Sequence, residues 1–142
     1  MTDQRWRTLK WKREGRPFVL RTVQQLQFAV DKLILRAART EPFLAEVYVP
    51  DKGWMRIGLG QHLSVLSYRP EHPSAKDKPR VSDGTYLPDK VLWFKWCDAW
   101  QGYERRRMVD MRDALFGLEH FFKTGELSEQ LEWIEWEPLN KP

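Results

Sequence analysis

The residue types that could do chemistry in this chain are few and scattered. His62, His72 and His120 fit no metal-ligand spacing, and no helical pair of histidines with an intervening glutamate is present. Cys97 is the only cysteine, which excludes an internal disulfide and any multi-cysteine zinc site. Its neighbours Trp96 and Trp100 point to packing, whereas a nucleophilic thiol needs a histidine beside it in space. Glu132, Glu135 and Glu137 fall at the polar positions of an edge strand and make a poor pair of acid–base carboxylates. Gly58-Leu59-Gly60-Gln61-His62-Leu63 begins like a dinucleotide fingerprint but lacks the third glycine and leads into a strand. A phosphate loop ending in Gly-Lys-Ser/Thr is absent. The expectation is a protein that is not an enzyme and carries no cofactor and no metal.

Binding chemistry is better represented. Trp100 and Tyr103 precede Arg105, Arg106 and Arg107, a basic–aromatic cluster that suits an acidic partner surface. The same cluster could neutralise phosphates while its rings stack on bases. Trp6, Arg7, Lys10, Trp11, Lys12 and Arg13 form a looser second cluster. No recognition helix or nucleic-acid motif organises either one. The plain reading of the arginines is solvated charge ahead of a helix, and a small basic nucleic-acid-binding domain is the alternative function.

Composition sets the frame for these residues. The chain has 142 residues, 42% apolar and 31% charged, which fits one globular domain spanning 1–142. Its eight tryptophans mean a large core, an interaction surface, or both. The formal net charge is +4, unevenly spread: residues 1–21 hold seven basic and two acidic residues, and 126–142 hold five acidic and one basic. No charged-then-apolar leader opens the chain. No apolar run reaches the roughly 18 residues of a membrane helix, so a cytoplasmic location without membrane contact is expected.

The elements that must position these residues follow from periodicity and capping. Residues 6–12 alternate weakly and Glu14-Gly15-Arg16-Pro17 breaks them, which suits the first strand of a hairpin, with Phe18-Val19-Leu20 as its second strand or as a lead-in to the helix. Thr22-Val23-Gln24-Gln25 matches a capping box. Val23, Leu26, Val30, Leu33, Ile34 and Ala37 then form one helical stripe that Pro42 ends near Arg39. Leu44–Val49, Trp54–Leu59 and Leu63–Tyr68 read as three antiparallel strands joined by tight turns at Asp51-Lys52-Gly53 and Gly60-Gln61. Residues 69–90, with four prolines and no apolar period, read as a long surface loop. The last unit, 91–136, reads as strand, basic turn, helix and strand. Val91-Leu92-Trp93-Phe94 suits a strand covered on both faces. Asp110 caps a helix bearing Met111, Leu115, Leu118 and Phe122, which Gly125 stops. Leu131–Trp136 is a short alternating strand ended by Pro138. The fold class is α+β, a mostly antiparallel sheet of about five to six strands with two main helices packed on it.

Two stretches of this plan resemble a known family. Met55-Arg56-Ile57-Gly58-Leu59-Gly60 with Ser64-Val65-Leu66-Ser67-Tyr68 is one. Asp113-Ala114, Phe121-Phe122-Lys123-Thr124-Gly125-Glu126 and Leu131-Glu132-Trp133-Ile134-Glu135 make up the other. Together they resemble the first of the bacterial Imm immunity families, the antidotes to deaminase-type toxins of polymorphic toxin systems, over roughly residues 20–137. The chain departs from the pattern at Ser128-Glu129, where a proline often stands, and in its net basic charge. The resemblance implies a non-catalytic inhibitor that binds the C-terminal domain of a cognate toxin, such as a nucleic-acid deaminase or nuclease, and occludes its active site. No small-molecule substrate is implied. For a toxin with a basic cleft, Glu71, Asp77, Asp83 and Asp89 would be the partner-binding residues. For an acidic partner surface they would be Trp100, Tyr103 and Arg105 to Arg107. Gly125 and Trp133 belong to the fold.

Overall fold

The computed structural model describes residues 6–11, 16–84, 86, 90–136 and 139–140. The first helix, α1 (Val23–Arg39), begins where the sequence places it. Thr22 Oγ1 accepts from Gln25 N, and the Gln25 side chain accepts from the backbone N–H of Thr22, a complete capping box. Its buried stripe is Leu26, Val30, Leu33 and Ala37. Ahead of it lies the hairpin β1 (Thr8–Lys10) and β2 (Phe18–Val19). After it the chain makes the meander β3 (Phe43–Val49), β4 (Gly53–Leu59) and β5 (Leu66–Pro70), antiparallel throughout.

The sheet is larger than the expected five to six strands. Among the described residues ten strands run in the order β10-β8-β7-β3-β4-β5-β6-β9, with β1 branching from β3 and β2 paired to β1. The remaining members are β6 (Arg80–Asp83), β7 (Val91–Trp96), β8 (Ala99–Glu104), β9 (Glu132–Glu135) and β10 (Leu139–Asn140). All pairings are antiparallel except the single parallel contact of Phe43 with Lys95. The outer edge of β3 is shared, with Phe43 against β7 and residues Glu46–Tyr48 against β1. The uncounted strands are short or carry a glycine, and a two- to four-residue strand shows no periodicity to read.

Residues 69–90 are therefore not one loop. The strand β5 extends through Pro70, and β6 occupies Arg80–Asp83 between β5 and β9. Pro70 is tolerated in the strand because β6 pairs with β5 only at Ser67 and Tyr68, which leaves one side of the strand unpaired at Pro70. The sequence of β6 hides its strand because only Val81 is apolar. Its other buried residue, Ser82, serves by hydrogen bonding: Oγ accepts from Leu66 N and donates to Arg107 O. The basic turn stands at Arg105–Arg107 as a short 3-10 turn, and between Phe94 and it the chain adds an unexpected strand, β8, paired with β7 across a turn in which Cys97 takes φ 56°.

The sheet is rolled. In a flat sheet β5 and β8, four places apart, would be separated by about 19 Å at the usual strand spacing. Instead Ser67 Oγ of β5 and Tyr103 Oη of β8 are 3.3 Å apart. Tyr103 packs edge-on against Phe94 and stacks on Trp136 just past β9, centroids 4.9 Å apart. The concave side thus encloses Leu44, Val65, Val81, Leu92, Phe94, Tyr103 and Met108. The convex side of β3, β4 and β5 carries Val47, Met55, Ile57, Leu66 and Tyr68 against α1 and the second helix, α2 (Met111–Thr124). Along β7 only Leu92 and Phe94 are buried, so this strand has one covered face rather than two.

The ends of α2 are built differently from each other. Gly125 at φ 75° closes the C-terminus as expected. Asp110 stands at the N-cap position without capping. Its carboxylate accepts from Tyr86 Oη at 2.7 Å, and the helix entry is held by the bridge between Val109 and Ser64.

Burial pushes the Tyr103 hydroxyl up to about 12, and burial together with the Asp77 hydrogen bond raises Tyr68 as well. Both phenols therefore hold their protons more tightly folded than unfolded. Their contribution is complete below about pH 10 and is lost as pH rises through the folded values. Stability is expected to fall by up to about 1.4 kcal/mol per pH unit between about pH 10 and 12 on account of Tyr103, with a smaller loss from Tyr68. Urea titrations at pH 9 to 12 would show a shallower loss in Tyr103→Phe; parallel losses in both proteins would refute the assignment.

Candidate partner-binding site

The residues singled out for their chemistry are mostly engaged inside the fold. Glu71 Oε1 accepts from Tyr48 Oη at 2.6 Å and from Asp51 N at 2.9 Å, which staples the β3–β4 turn. Asp77 accepts from Tyr68 Oη through both carboxylate oxygens. Asp83 pairs with Arg107 at 2.6 Å. Asp89 lies outside the described residues. Three of the four acidic positions thus tie down turns and strand ends: Glu71 and Asp77 both sit beside the Lys52 carbonyl at the β3–β4 turn, and Asp83 stands against Arg107.

The basic–aromatic cluster is also taken apart by the fold. Tyr103 is fully buried, so it serves the core and cannot be an exposed anchor. Trp100 is half-buried on β8, opposite Lys95 of β7. Arg105 lies over the Tyr86 ring, Arg106 pairs with Glu104, and Arg107 holds Asp83. Within the looser N-terminal cluster, Lys12 and Arg13 lie outside the described residues. Arg7 is spent on the helices: its Nε donates to Phe122 O at 2.6 Å, near the C-terminus of α2.

Groups suited to catalysis are dispersed as well. His62 and His72 are exposed and His120 is half-buried on α2. Burial pushes the Cys97 thiol up, away from the thiolate a nucleophile needs. Ligand atoms of Asp51, Glu71 and His72 come within 4.8 Å of one another. Glu71 Oε1 there already has two donors, and exposed acidic groups of this kind are common without an ion.

Two of the concavities among the described residues bear on binding. One opens at the mouth of the rolled sheet, a cleft of about 150 Å³ floored by Glu46, Arg56 and Ser67 and walled by Trp54, Arg69 and Trp136. Arg56 donates to Glu46 at 2.8 Å and to Gln101 at 3.0 Å, and its guanidinium lies 4.1 Å from the Trp96 ring centroid. With side chains only 17% and 9% exposed, Arg56 and Glu46 form a largely desolvated pair.

The other concavity is a groove of about 480 Å³ between the β1–β2 hairpin and α1. Trp11, Phe18, Val19 and Leu20 form one wall, and Phe28, Ala29, Leu33, Lys32 and Arg36 the other. It stays open and apolar: Phe28 is 64% exposed and Phe18 49%. Leu35 adds a further exposed apolar side chain on α1. Contiguous apolar surface of this kind on a soluble protein marks interaction sites.

None of the groove's helix residues was among the expected partner-binding positions. The available signal was Phe28 itself, which falls off the Leu26-Val30-Leu33-Ala37 stripe and so must point away from the core. Among the described residues no helix is long and apolar enough to cross a membrane. No protein-family model matches the chain, and no similar protein is found among curated sequences.

Proposed function

We propose that this chain is an immunity protein, a non-catalytic inhibitor that binds a cognate bacterial toxin in the cytoplasm and occludes its active site. The observation that carries the reading is the open groove lined by Phe18 and Phe28 on an otherwise densely bonded scaffold. Tight inhibitors work from rigid frames that present a few large apolar anchors within a charged rim. The two stretches that resemble the immunity family support it independently. They supply β4, β5, α2 and β9, elements of the sheet and its helical cover.

The reading predicts that the chain, co-expressed with the C-terminal toxin domain encoded by the adjacent gene, co-purifies with it in a one-to-one complex and restores growth. A toxin that remains active and unbound beside this chain would end the proposal. A duplex-DNA titration separates the nucleic-acid alternative, which requires affinity falling with salt at a log–log slope near −0.9 per phosphate contacted. Engagement of Arg7, Arg106 and Arg107 within the fold weighs against that alternative.

A further inference from the structure

We infer that the groove between β2 and α1 receives an acidic amphipathic segment of the partner protein. The inference rests on the inhibitor reading above and specifies where and with what chemistry the partner docks. The first observation is the polarity of the lining. Beside its apolar walls the groove presents Gln25, Lys32 and Arg36 and, among the described residues, no carboxylate. The second is that these cations stand without a counter-charge among the described residues, although Arg36 in the last turn of α1 gains from the helix dipole. Lys32 and Arg36 stand four residues apart on α1, where like charges destabilise a helix by about 0.2–0.5 kcal/mol. Neither has an ion-pair partner among the described residues. Lys32 instead lies 4.5 Å from the centroid of Phe28, extending the basic field over the apolar floor.

The third observation is the segregation of charge around α1. Asp31 faces the opposite seam, where it lines a separate cleft with Glu119 of α2. The carboxylates are thus on the α2 side and the cations on the groove side. From Gln25 to Arg36 the helix wall runs about 16 Å at 1.5 Å per residue, room for two or three large apolar side chains from one segment. An occupant that is apolar alone would leave Lys32 and Arg36 facing low-dielectric surface without a counter-charge, which is costly. An occupant carrying Asp or Glu beside its apolar anchors satisfies both the floor and the rim. Basic nucleic-acid-directed surfaces are refused by the same cations.

The test uses the full chain and the toxin domain encoded beside it. Phe28→Asp is expected to weaken the complex by at least 30-fold, the scale of an interface hot spot. Lys32→Glu with Arg36→Glu is expected to slow association and to remove most of its salt dependence. Phe116→Asp, at an exposed phenylalanine on α2 outside the groove, is the control and should leave affinity within about threefold. Because Phe28 is mostly exposed, its variant should fold, as circular dichroism would verify. Hydrogen exchange in the complex should protect β2 and α1. If the wild-type complex forms but Phe28→Asp binds equally well and protection falls elsewhere, the groove assignment is overturned while the inhibitor reading stands. If the wild-type chain forms no complex, both fall together.

Discussion

Replacing Arg56 with methionine is expected to destabilise the protein by about 3–5 kcal/mol, the cost of leaving one member of a buried ion pair without its partner. For a domain of this size that lowers Tm by the order of 10 °C. Methionine keeps the stem of the side chain, so the loss isolates the guanidinium rather than the packing. What it strands is Glu46, whose carboxylate accepts from Arg56 Nε and is largely shielded from solvent. Gln101 loses a donor at the same time, and Gln101 also accepts from Tyr103 Oη. The pair therefore joins β3, β4 and β8 across the concavity of the rolled sheet.

The cost of the pair and its contribution are different quantities, and a second variant separates them. Glu46→Leu combined with Arg56→Met removes both charges and should recover most of the stability lost in the single variant, because two apolar groups need no partners. Thermal unfolding of the wild type, both single variants and the double variant completes the cycle. A double variant as unstable as the sum of the single ones would mean that Glu46 and Arg56 act separately, through packing against Trp96 and the neighbouring strands.

What was legible in the sequence follows from the length scale of each interaction. The Thr22–Gln25 capping box, the α1 stripe, the β3–β5 meander and the Gly125 stop are local, and each is found at or near its expected residues. Helix α2 has its expected place, but Asp110 is diverted by Tyr86, a partner 24 residues away. The strand β6 was illegible because Arg80-Val81-Ser82-Asp83 becomes a strand only through its neighbours, with Ser82 bonding β5 and the turn at Arg105–Arg107. The same tertiary bonding removed Asp83 and Arg107 from the candidate surface: two residues assigned to opposite kinds of partner are partners of each other. Rolling of the sheet did the rest. It carried Tyr103 from a basic–aromatic surface cluster to the centre of the concave core, a displacement no one-dimensional pattern encodes.

Gly84→Ala is expected to cost about 3–4 kcal/mol, a large effect for one methyl group. The position needs no unusual φ; the constraint is the approach of two backbones. A Cβ at Gly84 would overlap the carbonyl oxygen of Met108 and stand 3.2 Å from that of Arg106. Backbone atoms cannot yield as a flexible side-chain end would, so the two segments must part by more than an ångström. That separation acts on a row of contacts: Gly84 N donates to Arg106 O at 2.7 Å, Asp83 holds Arg107, and Ser82 Oγ donates to Arg107 O. Each buried polar group left unpaired costs about 1–3 kcal/mol, so the loss should exceed that of Asp83→Ala, which removes the ion pair and leaves the backbones in place. Urea denaturation at unchanged m-value would measure the difference. A Gly84→Ala midpoint no lower than that of Asp83→Ala would show that β6 and the Arg105–Arg107 turn can slide apart freely. The three arginines would then stand on a movable surface element, whereas the close backbone contact makes them a clamp on β6.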